Sequence, residues 1–454
     1  MMLTQKLIEH YFNYHWDDIT GGAVEAAKRS LLDTLGVLIK GSRFASSLRL
    51  KEALCLEPGK TPAPLDFALF FGTASHAVEL DDFHREGTVH PGVVVIPAVL
   101  AVVLDLDAQG VKINGRDILR AVILGYDLMI RIGMAAKGRL YDKGFHPTAL
   151  CGPFGSALAA SLLYGHRLEQ ALMAQGIAGG TAAGLMAYKA NGAWTKRLNA
   201  GVAARTGVLA ARLAGVGFTG PMTILEDRFG FFHAFSPQYE RDVLENLHTL
   251  EIEKITFKPY ASCRFTHGPI EALRHILDTH SINVNEVVQV EVTMHEMAYK
   301  ATMQPEKRKY EPATAVDGQF SIPYCLAIMA LYGDVGPDYF TDDYLFNSEV
   351  RTWAKKVKGA VSDVYNVLFP AQNACQVTVQ TLTARYQHEV LNAKGDPENP
   401  LSNHDLEEKF KRLTRGILES EDQRQLIDTV KRIEEMDDFR NLLEIIEKLI
   451  YDKN

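Results

Sequence analysis

The sequence predicts a mainly α-helical protein with a smaller α+β part, on three observations. Across the first 260 or so residues apolar side chains recur three and four positions apart, as in VEAAKRSLLDTLGVLI (24–39) and GRDILRAVILGYDLMIRIGMAA (115–136), the spacing of amphipathic helices. The segments EVVQVEVTMHEMA (286–298) and NACQVTVQTLTARYQHEVL (373–391) alternate polar and β-branched residues with period two, which predicts strands. From NHDLEEKFKRL to FRNLLEIIEKLI the chain is helical and charged again.

In order along the chain, MMLTQKLIEHYFNYHWDD reads as the first amphipathic helix, since it lacks the cationic start, apolar core and small-residue cleavage site of a secretory signal. One amphipathic helix then follows another. Residues 152–220 are crowded with Gly, Ala and Ser, which points to closely packed helix backbones. Helical segments around 318–332 and 341–358 lie between the two strand regions, so 268–399 reads as an α+β lid domain. Residues 1–267 and 400–454 read as one all-helical domain, resumed after the turn-rich KGDPENPLS.

At 454 residues the chain exceeds what one hydrophobic core usually organises, roughly 100 to 200 residues. With 47% hydrophobic and 23% charged residues it can bury sizeable cores. A net charge of -8 and a pI near 6.0 offer no field for nucleic acid or an anionic membrane, so an anionic ligand must meet local cations. The most apolar run, Gly92–Leu104, is too short to span a bilayer and contains Pro97. Five scattered cysteines without a C-x-x-C pair predict a reducing, cytoplasmic setting, and neither an iron–sulfur cluster nor a structural zinc site.

The stretch HAVELDDFHREGTVHPG (76–92) concentrates the chemistry: Glu79, Asp81, Asp82, Glu86, His76, His84 and His90 in seventeen positions. It could be a solvated inter-helix loop or a metal site, although neither H-E-x-x-H nor a calcium-loop pattern is present. The third reading is an active-site loop, where carboxylate and imidazole supply tuned acid and base groups.

Six segments in order, HAVELDDFHREGTVHPG, GFHPTALCGPFGSALAA, TKRLNAGVAARTG, KPYASCRFTHGPIEAL, QFSIPYCLA and GDPENPLS, resemble signatures of the MmgE/PrpD family over almost the whole chain. Known members include 2-methylcitrate dehydratase, cis-aconitate decarboxylase and iminodisuccinate epimerase. The resemblance implies a large helical domain completed by the C-terminal helices, a smaller α+β lid, a homodimer, and no metal or organic cofactor. It implies a small anionic carboxylate as substrate and a carbanion formed beside a carboxylate, which calls for cations at the substrate carboxylates and for placed acid and base groups.

Carried over residue by residue, the resemblance gives Asp81, Asp82, His90, His146 and Tyr324 as catalytic candidates and Glu79, Lys196, Lys258 and Arg264 as substrate-binding candidates. Arg85 and Glu86 read as surface charges, Arg197 as either a second contact beside Lys196 or a surface charge, Cys263 as a small buried thiol, and His267 as a neighbour of the Lys258 segment. The expected activity is a 2-methylcitrate dehydratase-like lyase. The acidic motif is followed by Phe83-His84 where dehydratase and decarboxylase relatives carry Thr-Trp, which keeps an iminodisuccinate-like epimerase as the alternative. A non-catalytic carboxylate-binding protein is the third reading.

Overall fold

The computed structural model describes residues 2–56, 63–437, 439 and 442–446. It divides into two compact units, one of residues 1–189, 194–256 and 402–454, the other of 190–193 and 257–401.

The first unit is helical. Its elements are α1 (Leu3–Phe12), α2 (Gly21–Gly41), α3 (Ala45–Ala53), α4 (Pro64–Ser75), α5 (Gly92–Ala108), α6 (Gly115–Ala136), the short α7 (Arg139–Asp142), α8 (Pro147–Leu163), α9 (Leu168–Gly180) and α10 (Thr195–Gly215). Side chains set several of the starts. The Thr20 hydroxyl accepts the Ala23 N–H at 3.1 Å, and the Asn114 side chain accepts the Asp117 N–H at 2.9 Å. Both satisfy a donor the first turn would leave orphaned.

From Gly92 to Leu104 helix α5 is apolar on every side, so that stretch presents no polar face to solvent. Every residue from Gly92 to Val103 is buried, with α4, α8 and α10 packed around it. Glycine permits the closest crossings. A Cβ on Gly72 of α4 would lie 2.7 Å from the Cα of Gly201 in α10. No helix among the described residues is long and apolar enough to cross a membrane.

The chain returns to this unit at Ser402. The Ser402 hydroxyl accepts the Asp405 N–H at 3.1 Å and the Asp405 carboxylate accepts the Ser402 N–H at 2.8 Å, a reciprocal cap that starts helix Asn403–Thr414. This helix packs on α2, where its buried Lys409 donates to Asp33 Oδ1 at 2.5 Å and to the Leu80 carbonyl at 2.7 Å. Helix Ser420–Lys431 follows, and of the terminal segment FRNLLEIIEKLI residues 442–446 are helical, while 440, 441 and 447–450 lie outside the described residues.

The second unit holds a four-stranded mixed sheet in the order β2-β1-β3-β4, with β1 (Val287–Met294), β2 (Val357–Val361), β3 (Cys375–Thr381) and β4 (Arg385–Val390). β1 pairs parallel with β2 and antiparallel with β3, and Val290, Val292 and Met294 turn to the buried face. Helix His267–Thr279 packs on β3 and β4.

Three local expectations change. The 373–391 stretch is a hairpin, not one strand, because the chain turns at 382–384 and β4 folds back on β3. The 286–298 strand ends at Met294, where His295 Nδ1 accepts the Ala298 N–H and starts helix Glu296–Thr302. The helix expected over 341–358 gives way to β2 at Val357, whose parallel partner lies more than sixty positions earlier. The second unit also begins at Phe257 rather than 268. The N–H groups of Phe257, Ala261 and Cys263 donate to the carbonyls of Gly395, Val335 and Gln319, which ties 257–263 into it.

Removing one partner of a buried ion pair leaves the other charge uncompensated, at about 3–5 kcal/mol. Lys409→Met is therefore expected to lower unfolding free energy by about that amount in urea titration, with much of the loss restored by Asp33→Asn in the double variant. A loss under about 1 kcal/mol would mean that the pair does not anchor the returning helix.

Candidate functional site

The stretch 76–91 joins α4 to α5 inside the first unit, and it is not a solvated loop: His76, Glu79, Asp81, Asp82 and His84 are all buried. Tertiary bonds fix its path. Phe83 and Thr256 exchange N–H···O bonds of 3.0 and 2.8 Å, and the His84 N–H donates to the Val89 carbonyl at 2.9 Å. Glu79 and Thr88 sit at φ +60° and +55°, a left-handed backbone that is costly for residues with a Cβ and held only by such surroundings. Glu86 is exposed, as expected, whereas Arg85 is half-buried.

Asp81 and His90 form the centre. His90 Nδ1 lies 2.7 Å from Asp81 Oδ2 and 2.9 Å from the carbonyl oxygen of Asp82. A carbonyl only accepts, so Nδ1 carries the hydrogen and the neutral ring keeps its lone pair on Nε2. The backbone is held as well, since the His90 N–H donates to the Thr148 hydroxyl at 3.1 Å. The same Asp81 oxygen accepts from His76 Nδ1 at 3.0 Å. His76 packs edge-on to His90, with ring centres 4.9 Å apart, and stacks on His146 at 5.7 Å.

Asp82, the second acid of the pair, is turned away from this row. Its Oδ1 accepts the Gly92 N–H at 2.9 Å at the start of α5, and its Oδ2 accepts from the Tyr126 hydroxyl at 2.8 Å. Burial, together with the nearby Asp33 charge, pushes its carboxyl up to about 7. A Cβ on Gly92 would fall 2.7 Å from Asp82 Oδ1 and 2.6 Å from the Thr34 hydroxyl, so the HPG glycine is required by this close approach. Asp82 thus caps a helix and holds the loop, and its geometry is not that of a group presented to a ligand.

His146 caps α8, and its N–H donates to the Gly184 carbonyl at 3.0 Å. The Asn199 side-chain amide donates to His146 Nδ1 at 3.4 Å, which leaves the hydrogen on Nε2. Burial, then the neighbouring His76, Lys196 and His90, holds this ring well below the usual imidazole range, so it is neutral. Lys196, in the first turn of α10, forms an ion pair with both oxygens of Glu79, and both side chains are buried. Of the two readings of Arg197, the surface charge does not hold. The residue is buried, donates to the Ser46 hydroxyl at 3.0 Å and lies over the Phe44 ring, and burial lowers its pKa.

The remaining candidates belong to the second unit. Lys258 is fully buried there. Arg264 is committed to the turn that follows β4, with bonds to the Ala393 and Lys394 carbonyls at 2.9 and 3.2 Å and an ion pair with Asp396 at 2.8 Å. Tyr324 is a core residue whose hydroxyl donates to the Tyr339 carbonyl at 2.6 Å, and burial raises its pKa. His267 is buried and its Nε2 donates to the Ser262 carbonyl at 3.2 Å. Cys263 is half-buried rather than buried, and none of the five cysteines forms a disulfide.

Ligating atoms of His76, Asp81 and His90 lie within 4.8 Å of one another, a spacing a metal ion could use. The protonated His90 Nδ1 argues for hydrogen bonding instead, because a ligand nitrogen must offer its lone pair. The geometry gives roles to four residues to which sequence reasoning assigned none: His76, Thr148, Asn199 and Tyr126. Three of them lie in or beside the quoted motifs, whereas Tyr126 sits in the middle of an amphipathic helix with nothing local to mark it.

Asp82 also makes stability depend on pH. Its folded pKa lies above the unfolded value of about 3.9, so the folded state keeps a proton that the unfolded chain releases. Stability from this group is therefore greatest below about pH 4 and falls as pH rises to about 7, with a slope of at most ~1.4 kcal/mol per pH unit. Asp82→Asn, which resembles the neutral acid, is expected to lose this component in urea titrations between pH 5 and 8. An unchanged pH dependence would show that Asp82 is ionised throughout.

The pattern of the MmgE/PrpD N-terminal domain matches residues 5–243, and that of the MmgE/PrpD C-terminal domain matches residues 260–435. A cis-aconitate decarboxylase of Aspergillus terreus is 28% identical, covering 98% of this chain and 96% of its own length. The cis-aconitate decarboxylase-like protein oryM of Aspergillus oryzae is 26% identical, covering 94% of each chain. Human cis-aconitate decarboxylase is 26% identical over 92% of this chain and 89% of its own. With both family domains matched in order across most of its length, the chain belongs to the MmgE/PrpD family.

Proposed function

We propose that the chain is a cofactor-independent acid/base lyase acting on a small di- or tricarboxylate, with decarboxylation of a cis-aconitate-like substrate as its reaction. The observation that carries this reading is the His90 imidazole. Its Nδ1 is spent on the Asp82 carbonyl with the Asp81 carboxylate 2.7 Å away, its Nε2 holds the exchangeable position, and its side chain keeps 12% of its surface accessible. Three curated relatives named as or like cis-aconitate decarboxylases favour decarboxylation over the dehydration that the sequence suggested first.

The chemistry fits these groups. In decarboxylation the bond between carbon and the departing carboxylate breaks, CO2 leaves, and the electron pair stays on a carbon conjugated with the remaining double bond and carboxylates. A proton must then reach carbon. The His90 imidazolium, stabilised by the Asp81 carboxylate, delivers it from Nε2 and recovers it from water. The neutral His146 offers an Nε2–H donor to a substrate carboxylate, and Lys196 supplies a cation that Glu79 holds in place. Asp81 is the orienting acid in this scheme, and Asp82 a structural one.

Incubation with cis-aconitate, 2-methylcitrate and iminodisuccinate in deuterated buffer, followed by NMR, separates the possibilities. The expected result is loss of one CO2 from the tricarboxylate with one deuterium placed on carbon per turnover. A new alkene from 2-methylcitrate would mark a dehydratase, and inversion with deuterium uptake but no CO2 an epimerase. Tight binding with no turnover of any would sink the enzyme reading.

Within the same assay His90→Gln, which keeps size but cannot titrate near neutrality, is expected to lower kcat at least about a hundredfold, while exposed Glu86→Gln stays within a few fold. An active, folded His90→Gln protein would remove the base. Lys196→Ala should raise KM or Kd for the substrate by roughly ten- to a hundredfold, the loss of one charge-assisted hydrogen bond. Unchanged kinetics in a folded variant would take Lys196 out of the site.

A further inference from the structure

We infer that His76 is a positioning residue that sets the basicity of His90 through the one carboxylate oxygen they share. This deepens the proposed role of His90 and rests on it. Asp81 Oδ2 accepts from His76 Nδ1 at 3.0 Å and lies 2.7 Å from His90 Nδ1, close enough to pair with the imidazolium. The two rings are not equivalent. His90 is partly accessible, whereas His76 is fully buried and its Nε2 meets no hydrogen-bond partner.

A packing role alone explains His76 poorly. An imidazole buried with one nitrogen unpartnered costs desolvation that a leucine of similar volume avoids. What the imidazole adds is an N–H aimed at Asp81. A carboxylate oxygen that already accepts one hydrogen bond has less negative charge to offer a neighbouring cation, so the His76 N–H weakens the hold of Asp81 on the His90 imidazolium. The effect is to keep His90 nearer neutrality and able both to give and to take a proton.

The other groups around His90 are fixed across these comparisons. On its own loop are Asp81, the Asp82 carbonyl and the Phe83 ring, which lies 5.0 Å from the His90 ring. From α8 comes the neutral His146, from α10 Lys196 paired with Glu79, and behind Asp81 and Asp82 stand Asp33 and Lys409. Of these, His76 donates to the same carboxylate oxygen that the His90 ring faces.

The test uses the full chain with histidine labelled by 15N and 13C, His90 being assigned from His90→Gln. It needs no substrate, so it can fail while the lyase reading stands, and the reverse. In the wild type both His76 and His90 are expected to show the Nδ1–H tautomer. His76→Leu, which removes the donor, should raise the His90 pKa by roughly half a unit to one unit. His76→Asn, whose amide nitrogen falls near the Nδ1 position, should leave it within a few tenths of a unit. With a turned-over substrate, the acid limb of the kcat/KM profile should move the same way in the two variants. An Nε2–H tautomer at His76 overturns the inference even if His76→Leu does not fold. An unmoved His90 pKa in a folded His76→Leu protein overturns it too. So would zinc binding by the wild type that is lost in His76→Asn, because coordination needs the Nδ1 lone pairs that hydrogen bonding denies.

Discussion

One oxygen atom, Asp81 Oδ2, imposes the tightest constraint on the first unit. To accept from His76 and stand 2.7 Å from the His90 ring nitrogen it must sit between residues five positions before it and nine after it, so the loop has to fold back on itself. That return requires left-handed backbone at Glu79 and Thr88, the paired bonds between Phe83 and Thr256, and a glycine at 92. Each of these is expensive or unavailable to an isolated peptide. The surrounding helices determine the loop, and the loop places the imidazoles.

Burying so many ionisable groups is tolerable only because nearly every charge is given a partner of opposite sign. Lys196 meets Glu79, Lys409 meets Asp33, and Arg131 donates to Asp127 at 2.7 Å while Asp127 also accepts from the Tyr11 hydroxyl and the Glu251 N–H. Such pairs add little net stability against apolar replacements, but they punish misplacement severely, which suits helices whose ends must align one loop. Asp82 is handled differently. Lacking a cation of its own, it lowers its cost by holding its proton more tightly, and it serves as a cap in either protonation state.

Much of the fold was legible in the sequence. The period of apolar residues marked α2 and α6, the alternation marked β1 and the β3–β4 region, and the charged helix after KGDPENPLS lies where its pattern placed it. β2 was not legible. VKGAV is five residues long with a central glycine, and only pairing with β1 makes it a strand. The break in 373–391 was hidden because TLTA carries no glycine or proline to announce a turn. At the site, His90, His146, Lys196 and the acidic residues stood out by type and motif. Tyr126 did not, since it looks like any aromatic on an amphipathic helix, and Asn199 and Thr148 act through single bonds that depend on where α8 and α10 cross.

By itself the sequence determined which residues could do acid/base chemistry and where helices would form, because residue type sets the ionisable inventory and apolar period sets the helices. It also placed the chain among its relatives. Only the tertiary structure decided which members of the inventory face one another. It separated the adjacent Asp81 and Asp82 into an acid that orients imidazoles and one that caps a helix, since neighbours on a loop point apart and their partners come from distant segments. It turned Arg264 and Tyr324 toward backbone carbonyls of their own unit, and it brought in His76. The physical reason is that hydrogen-bond partners are a property of packing between segments far apart in sequence, which local pattern does not encode.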